Sequence, residues 1–273
     1  MKILLILNLL IFGLFQSTSF AGMLDKTDAA RERLQGSVKN VHVEIAKVTQ
    51  KDGRWIEEIP PMPWLSTTYD QQGHLVKEVQ IYTHQALDFT SVFKRNVTGQ
   101  LTEGAEYDAQ DKLAFSWTYT HDAVTGVIEE QRFSPEGAFF SSTTYRYDVS
   151  GNLMEENRFL PHTKNSFRWV YKYDRQGRPL EEAHYMIRSG FTPEQVVKSL
   201  NSRKVFLYKQ NGLLNEETQY DGQGNVILER RYQYDLDKVG NWIKQSATEA
   251  LPNPEGLARI PTEITYRKIT YHE

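Results

Sequence analysis

A spacing of 26 residues runs through most of this chain. Tyr69, Arg95, His121, Tyr147 and Tyr173 follow one another at that interval, and Tyr208 and Tyr234 resume it after one step of 35. A glycine stands four or five residues behind most of them: Gly73, Gly99, Gly126, Gly151, Gly177 and Gly212. Self-similarity at a fixed period restricts a chain to architectures built from one repeated supersecondary unit. A half-period lies inside it, because Ile81, Tyr107, Phe133, Phe159, Tyr185 and Tyr220 each follow a repeat start by 12 residues. Alternating steps of 12 and 14 each hold one strand and one turn. Running backwards, the same steps reach Trp55 and Val43.

The residue pattern within a step is that of a strand. Phe167, Trp169, Tyr171 and Tyr173 alternate with Arg168, Lys172 and Asp174. In an extended chain the two sets face opposite ways. Alternation bounded by a glycine turn reads as a hairpin, with the glycine supplying a positive φ. Tyr-Asp occurs six times, whereas 15 tyrosines and 13 aspartates in 273 residues give about 0.7 by chance. The aspartate suits the turn, where its carboxylate accepts backbone N–H bonds. The tyrosine ring is expected to pack on the sheet with its hydroxyl near water. The chain therefore predicts an all-β fold: roughly 14 antiparallel strands in a meander, rolled into a curved sheet or barrel-like shell.

The step of 35 predicts a helical insertion near residues 190–202, with Thr192 as N-cap, Pro193 at the first helical position and Gln195 completing the capping box. A second helix is expected over about Leu24–Leu34, and the Pro60-Pro61-Met62-Pro63 and Pro252-Asn253-Pro254 clusters are expected to interrupt the sheet near its ends. The organisation expected is a signal peptide at 1–21, an N-terminal helix and leading strands at 22–64, repeats at 65–245 and closing strands at 246–273. Lys2, the apolar run Ile3–Phe15 and the small residues near Ala21 form the signal-peptide pattern, which directs the mature chain to the periplasm or the exterior. No later stretch is apolar enough to cross a bilayer as a helix.

The net charge is −3 and no cysteine is present. A mildly acidic chain has no electrostatic basis for nucleic-acid binding. The missing cysteines rule out disulfides, thiol catalysis and cysteine-held zinc. No His-x-x-x-His, Gly-x-Ser-x-Gly, phosphate-loop or dinucleotide motif occurs, so neither a metal nor a cofactor is expected, and no catalytic residue is assigned.

The unit Tyr-Asp-x-x-Gly-x-Leu-x-x-Glu, seen in Tyr69-Asp70-Gly73-Leu75-Glu78 and Tyr147-Asp148-Gly151-Leu153-Glu156, resembles the YD repeat of RHS proteins. Tyr173-Asp174-Gly177-Glu182 follows it with Pro179 in the leucine position. Tyr232-Gln233-Tyr234-Asp235 with Gly240-Asn241-Trp242 looks like the closing unit of short exported YD-repeat proteins. The likeness covers about residues 65–245. In large family members such repeats build a long strip coiled into a hollow shell around a toxin. About seven double units are too few for a large shell, and no toxin-like module follows the last one, so the resemblance implies the strip itself. The units at Arg95 and His121 lack the tyrosine and mark breaks in the register.

Two residue sets are candidates for binding. Glu103, Glu129, Glu155, Glu181 and Glu216 lie eight after a repeat start, and Glu78, Glu130, Glu156, Glu182 and Glu217 lie nine after. Stacked on every second strand they form a row of carboxylates about 9–10 Å apart, which suits a solvated face first, a cation or sugar next, and acid–base catalysis least. The aromatic face of Trp169 and Tyr171 reads as core, or where uncovered as a surface for a sugar ring or partner. Trp169, Tyr171, Glu155 and Glu181 are the binding candidates. The function expected is an exported, non-enzymatic repeat protein of the bacterial envelope that binds or scaffolds a protein or glycan. The alternatives are an accessory or immunity-type protein of a toxin system, and a carbohydrate-binding or carbohydrate-active protein.

Overall fold

The structure, a computed structural model, describes residues 27–81, 88–163, 165–188, 200–253 and 256–273. One helical turn, α1 (Asp28–Arg31), precedes the strands. The first nine are β1 (Val38–Lys51), β2 (Arg54–Glu57), β3 (Met62–Tyr69), β4 (Leu75–Gln80), β5 (Phe89–Arg95), β6 (Leu101–Tyr107), β7 (Leu113–Asp122), β8 (Val127–Phe133) and β9 (Phe139–Tyr147). The rest are β10 (Leu153–Phe159), β11 (Asn165–Tyr173), β12 (Pro179–Arg188), β13 (Leu200–Tyr208), β14 (Leu214–Asp221), β15 (Val226–Leu236), β16 (Trp242–Asn253) and β17 (Gly256–Tyr271).

Each strand from β3 to β17 pairs antiparallel with its neighbour in sequence, as a meander must. The ends then meet through β1. Its residue Val43 lies opposite Leu65 of β3 and opposite Arg267 of β17. The 17-stranded sheet is thus a closed barrel of 16 strands, with β2 as a short hairpin partner of β1 outside the ring. Closure removes the free edges that an open strip exposes.

The strand ends fall where the repeat places them. β3, β9, β11 and β13 stop at Tyr69, Tyr147, Tyr173 and Tyr208, and β6, β8 and β10 at Tyr107, Phe133 and Phe159. The reason is local. Asp148 Oδ1 accepts the N–H groups of Ser150 (2.9 Å) and Asn152 (2.8 Å), while Gly151 N–H donates to the Asp148 carbonyl (3.0 Å). Gly151 holds φ at 77°, which a side chain with a Cβ avoids. Asp70, Asp108, Asp174 and Asp221 repeat these bonds. A register shift sits beside the turn in most hairpins, as between Leu153 and Glu155, where a β-bulge inserts one residue.

Several expectations need correction. Seventeen strands are described, not about 14, because both ends of the chain add strands to the repeats. The N-terminal helix is one turn within the described residues. Most of the expected insertion, and the whole signal peptide, lie outside the described residues, but Leu200–Ser202 belong to β13, where the ladder to β12 has already begun. The first proline cluster does interrupt the ladder, with Pro60 and Pro61 between β2 and β3 and a register shift beside Pro63, whereas Pro252 lies inside β16 opposite Leu257. The repeat tyrosines turn inward instead of reaching for water: Tyr69 is 1% exposed, and the Tyr173 hydroxyl donates to the Leu153 carbonyl at 2.9 Å.

Apolar packing is concentrated at one mouth of the barrel. Ala29 and Leu34 join Val38, Val41, Val43, Leu65, Tyr69 and Leu75 in one buried cluster, with Phe93, Ile269 and Tyr271 against it.

Candidate functional site

Residues 27–36 form a cap. Thr27 Oγ1 accepts the Ala30 N–H (3.2 Å) and starts α1, and Ala29 N–H reaches the Gly73 carbonyl at 3.0 Å. Arg31 lies over the ring of Tyr147, and Arg33 over that of Tyr208. Gln35 exchanges two hydrogen bonds with Asn241, at 2.7 and 2.9 Å. Gly36 packs against Val239 and Tyr271. These partners come from the β3–β4 turn, β9, β13, the β15–β16 turn and β17. A ten-residue segment reaches all of them only from within the ring, so this mouth is stoppered and the face carrying Tyr69 and Tyr147 is the lumen.

The strongest tie is ionic. Asp28 Oδ2 accepts Arg95 Nη2 at 2.6 Å and the Leu75 N–H at 2.7 Å, with side-chain exposures of 6% for Asp28 and 9% for Arg95. Burial raises the Asp28 carboxyl above its ordinary value, and Arg95 opposes that rise. Arg95 is one of the two positions where the repeat lacks its tyrosine. His121 is the other, and its Nε2 donates to the Leu101 carbonyl at 2.7 Å. The first break is the anchor of the cap; the second bonds neighbouring backbone.

Below the cap the inner wall is polar. The glutamates nine after each start all face the lumen: Glu130 opposite Tyr119, Glu156 opposite Tyr145 and Trp169, Glu182 opposite Tyr171 and Lys204, and Glu217 opposite Phe206 and Arg230. Glu78, Glu156 and Glu217 are 4%, 2% and 2% exposed. The Tyr232 hydroxyl donates to Glu217 at 2.9 Å and Arg158 Nη2 to Glu156 at 3.2 Å. Burial pushes Glu156 up to about 7 against the pull of Arg158, and raises Glu182 against Lys204. The unit at Arg95 has Gly104 in the glutamate place, because the Trp117 indole lies on it; a Cβ there would stand 2.1 Å from Nε1. Arg158, Arg230 and Arg132 keep side-chain exposures of 31%, 31% and 28%, so water reaches the lumen.

The outer wall is polar too. The glutamates eight after each start point outward and are paired: Glu103 with Lys94 (2.9 Å), Glu155 with Arg168 (3.1 Å), Glu181 with Lys172 (2.8 Å) and Glu216 with Arg231 (2.6 Å). Lys94, Glu103, Thr118, Gln131 and Ser142 face one another across five successive strands.

The four candidate residues therefore divide between the two faces. Trp169 and Tyr171 line the lumen, and Glu155 and Glu181 stand outside. Trp169 is also covered. His184 stacks on it at 4.8 Å and 8°, and the Arg158 guanidinium lies 5.5 Å from its centroid. The inner glutamates Glu156 and Glu182 are the ones that share its face. Asp28, Glu32 and Arg267, which help build the capped mouth, carry no repeat signal; the missing tyrosine at 95 and Asn241 of the closing unit were the marks the repeat left there. Chemically, this lumen offers fixed carboxylates, guanidinium groups and phenols to a polar solute.

No protein-family model matches the chain, and no curated protein matches it. Among solved structures, a porin-like protein from Bacteroides uniformis aligns over 86% of this chain and 99% of its own, with a TM-score of 0.51 and 10% identity. A porin-like protein from Bacteroides vulgatus aligns over 87% and 99%, with a TM-score of 0.33 and 13% identity. A Tc holotoxin pore from Photorhabdus luminescens aligns over 73% of this chain and 15% of its own, with a TM-score of 0.16 and 12% identity. Only the first is similar enough to bear on architecture, and it supports the fold alone: a closed antiparallel barrel.

Two outcomes test this geometry. Arg95→Ala leaves Asp28 buried without its cation, so it should cost about 3 kcal/mol and make the cap the first site of limited proteolysis. An unchanged melting temperature and an uncut cap would contradict the anchor. Glu156 has a folded pKa raised from 4.5 to about 7, so its favourable contribution is complete below 4.5 and lost as pH rises through 7. Glu156→Gln should therefore raise stability at pH 8 by about 1–2 kcal/mol and change little at pH 4.5. Denaturant midpoints at the two pH values read the difference.

Proposed function

We propose that the mature chain is an exported, non-enzymatic barrel of the bacterial envelope, working in water as a small capped YD-type shell that binds or scaffolds a protein or glycan partner. The observation that carries this reading is the outer wall. A barrel that crosses a membrane turns an apolar band of about 25 Å to the lipid and its polar side chains to the lumen. Here ion pairs cover the outside of β5–β6, β10–β12 and β14–β15. Burying such charges in hydrocarbon costs several kcal/mol each near the midplane. The signal-peptide pattern supplies the export, and the YD-like spacing supplies the likeness to a shell strip.

A second reading rests on the fold shared with the porin-like protein from Bacteroides uniformis: a pore in the outer membrane. The capped mouth and the charged exterior both weigh against it. Fractionation separates the two. Expressed with its leader, the protein should leave cells on osmotic shock and stay in solution without detergent after ultracentrifugation. Recovery in the outer-membrane pellet, released only by detergent, would overturn the aqueous reading.

A further inference from the structure

We propose that this chain associates with a second copy of itself through the free edge of β2. The hairpin β1–β2 turns on Asp52 and Gly53, both at positive φ (50° and 74°). Lys51 faces Arg54, Gln50 faces Trp55, Thr49 faces Ile56 and Val48 faces Glu57. Glu58 N–H then donates to the Lys47 carbonyl at 2.9 Å. Backbone groups alternate in direction along an antiparallel strand, so Arg54, Ile56 and Glu58 bond toward β1. Trp55 and Glu57 aim theirs at the opposite edge. Among the described residues no strand pairs there. β2 continues along the same side of β1 as β3, across β1 from β17, and on that side the β3–β4 ladder ends at Leu65 and Gln80. The β1–β2 hairpin runs past that end, and among the described residues its outer edge is open.

The residues on this edge complement themselves. An antiparallel addition forms hydrogen-bonded pairs only between residues that both aim at the shared edge. Trp55 opposite Glu57 of the second copy satisfies this. That register sets Ile56 against Ile56 on a two-fold axis and Arg54 against Glu58 on both sides of it. Ile56 and Trp55 are each 43% exposed, Arg54 and Glu58 are exposed, and neither of those two forms an ion pair among the described residues. The neighbouring registers fail. Trp55 against Trp55 brings Glu58 to Asp52, and Glu57 against Glu57 brings two carboxylates together. Opposite charges across a ladder favour a pairing and like charges oppose it. The result is an isologous contact, as two-fold dimers require. A four-residue edge makes it a weak one.

Sedimentation velocity of the mature chain, from about 10 µM to about 1 mM, reads the association. A concentration-dependent dimer is expected. Arg54→Glu or Glu58→Arg alone should weaken it about 10-fold or more, and the double exchange should restore it. Circular dichroism checks that each variant is folded. Hydrogen exchange on the unaltered protein gives a second reading, with the amides of Trp55 and Glu57 gaining protection as concentration rises. A monomer throughout this range would overturn the proposal and leave the edge to a strand of another protein. A dimer indifferent to the single reversals, or exchange at Trp55 and Glu57 that ignores concentration, would overturn it as well.

Discussion

The barrel depends on one strand having two partners. β1 bonds to β3 on one side and to β17 on the other, joining residues more than 200 apart in sequence, as Val43 and Arg267 show. Without that seam the meander would be an open strip with two long edges, and both walls of the strip are polar. Its inner face mixes rings such as Trp117, Tyr145 and Phe206 with buried glutamates, so stacking it on an apolar layer would bury those carboxylates. Closure satisfies its backbone hydrogen bonds without one. It also makes the interior that the cap occupies, so that the largest apolar cluster forms at the mouth, where Ala29 and Leu34 meet Val41, Leu65 and Leu75.

Alternation explains why two adjacent glutamates in each repeat have different lives. Glu155 stands outside beside Arg168, with 20% of its side chain exposed, and against partial burial Asn157 and Arg168 hold its carboxylate below the ordinary value. Glu156, one residue on, is shut among Tyr145, Trp169 and Arg158. There burial weakens its acidity and makes the wall sensitive to pH. The same pairing recurs at 181 and 182 and at 216 and 217. A repeat of this kind writes two charged surfaces at once, one facing bulk water and one facing the lumen. On the proposed reading the first keeps the barrel in solution and the second offers contacts to a solute.

The strand lengths and turns were legible because they depend on neighbours in sequence. Tyr147-Asp148 followed by Gly151 makes its own turn, and the spacing of 26 repeats it. The face of each glutamate was not legible. Simple alternation from Leu153 puts Glu155 on the side of Tyr147, but a bulge between Leu153 and Glu155 reverses the parity, and another between Lys172 and Tyr173 does the same for Glu181. Bulges of one residue leave no mark in a periodic pattern. The cap was harder still. Asp28 and Arg95 are 67 residues apart, and only the folding of the cap across β4 and β5 brings them together. The missing tyrosine at 95 marked the place without saying what would fill it.

The central claim is that this wall is polar on both sides, with the paired glutamates divided between water and a capped lumen. The chain has no cysteine of its own, so single cysteines can report on each side. Cysteine placed at Glu155, Glu181 or Glu216 should react quickly in the folded protein with a bulky polyethylene-glycol maleimide. Cysteine at Glu156, Glu182 or Glu217 should react slowly until denaturant is added, and then as fast as the others. Equal rates for the two sets in the folded state, or faster reaction at 156, 182 and 217, would contradict the account.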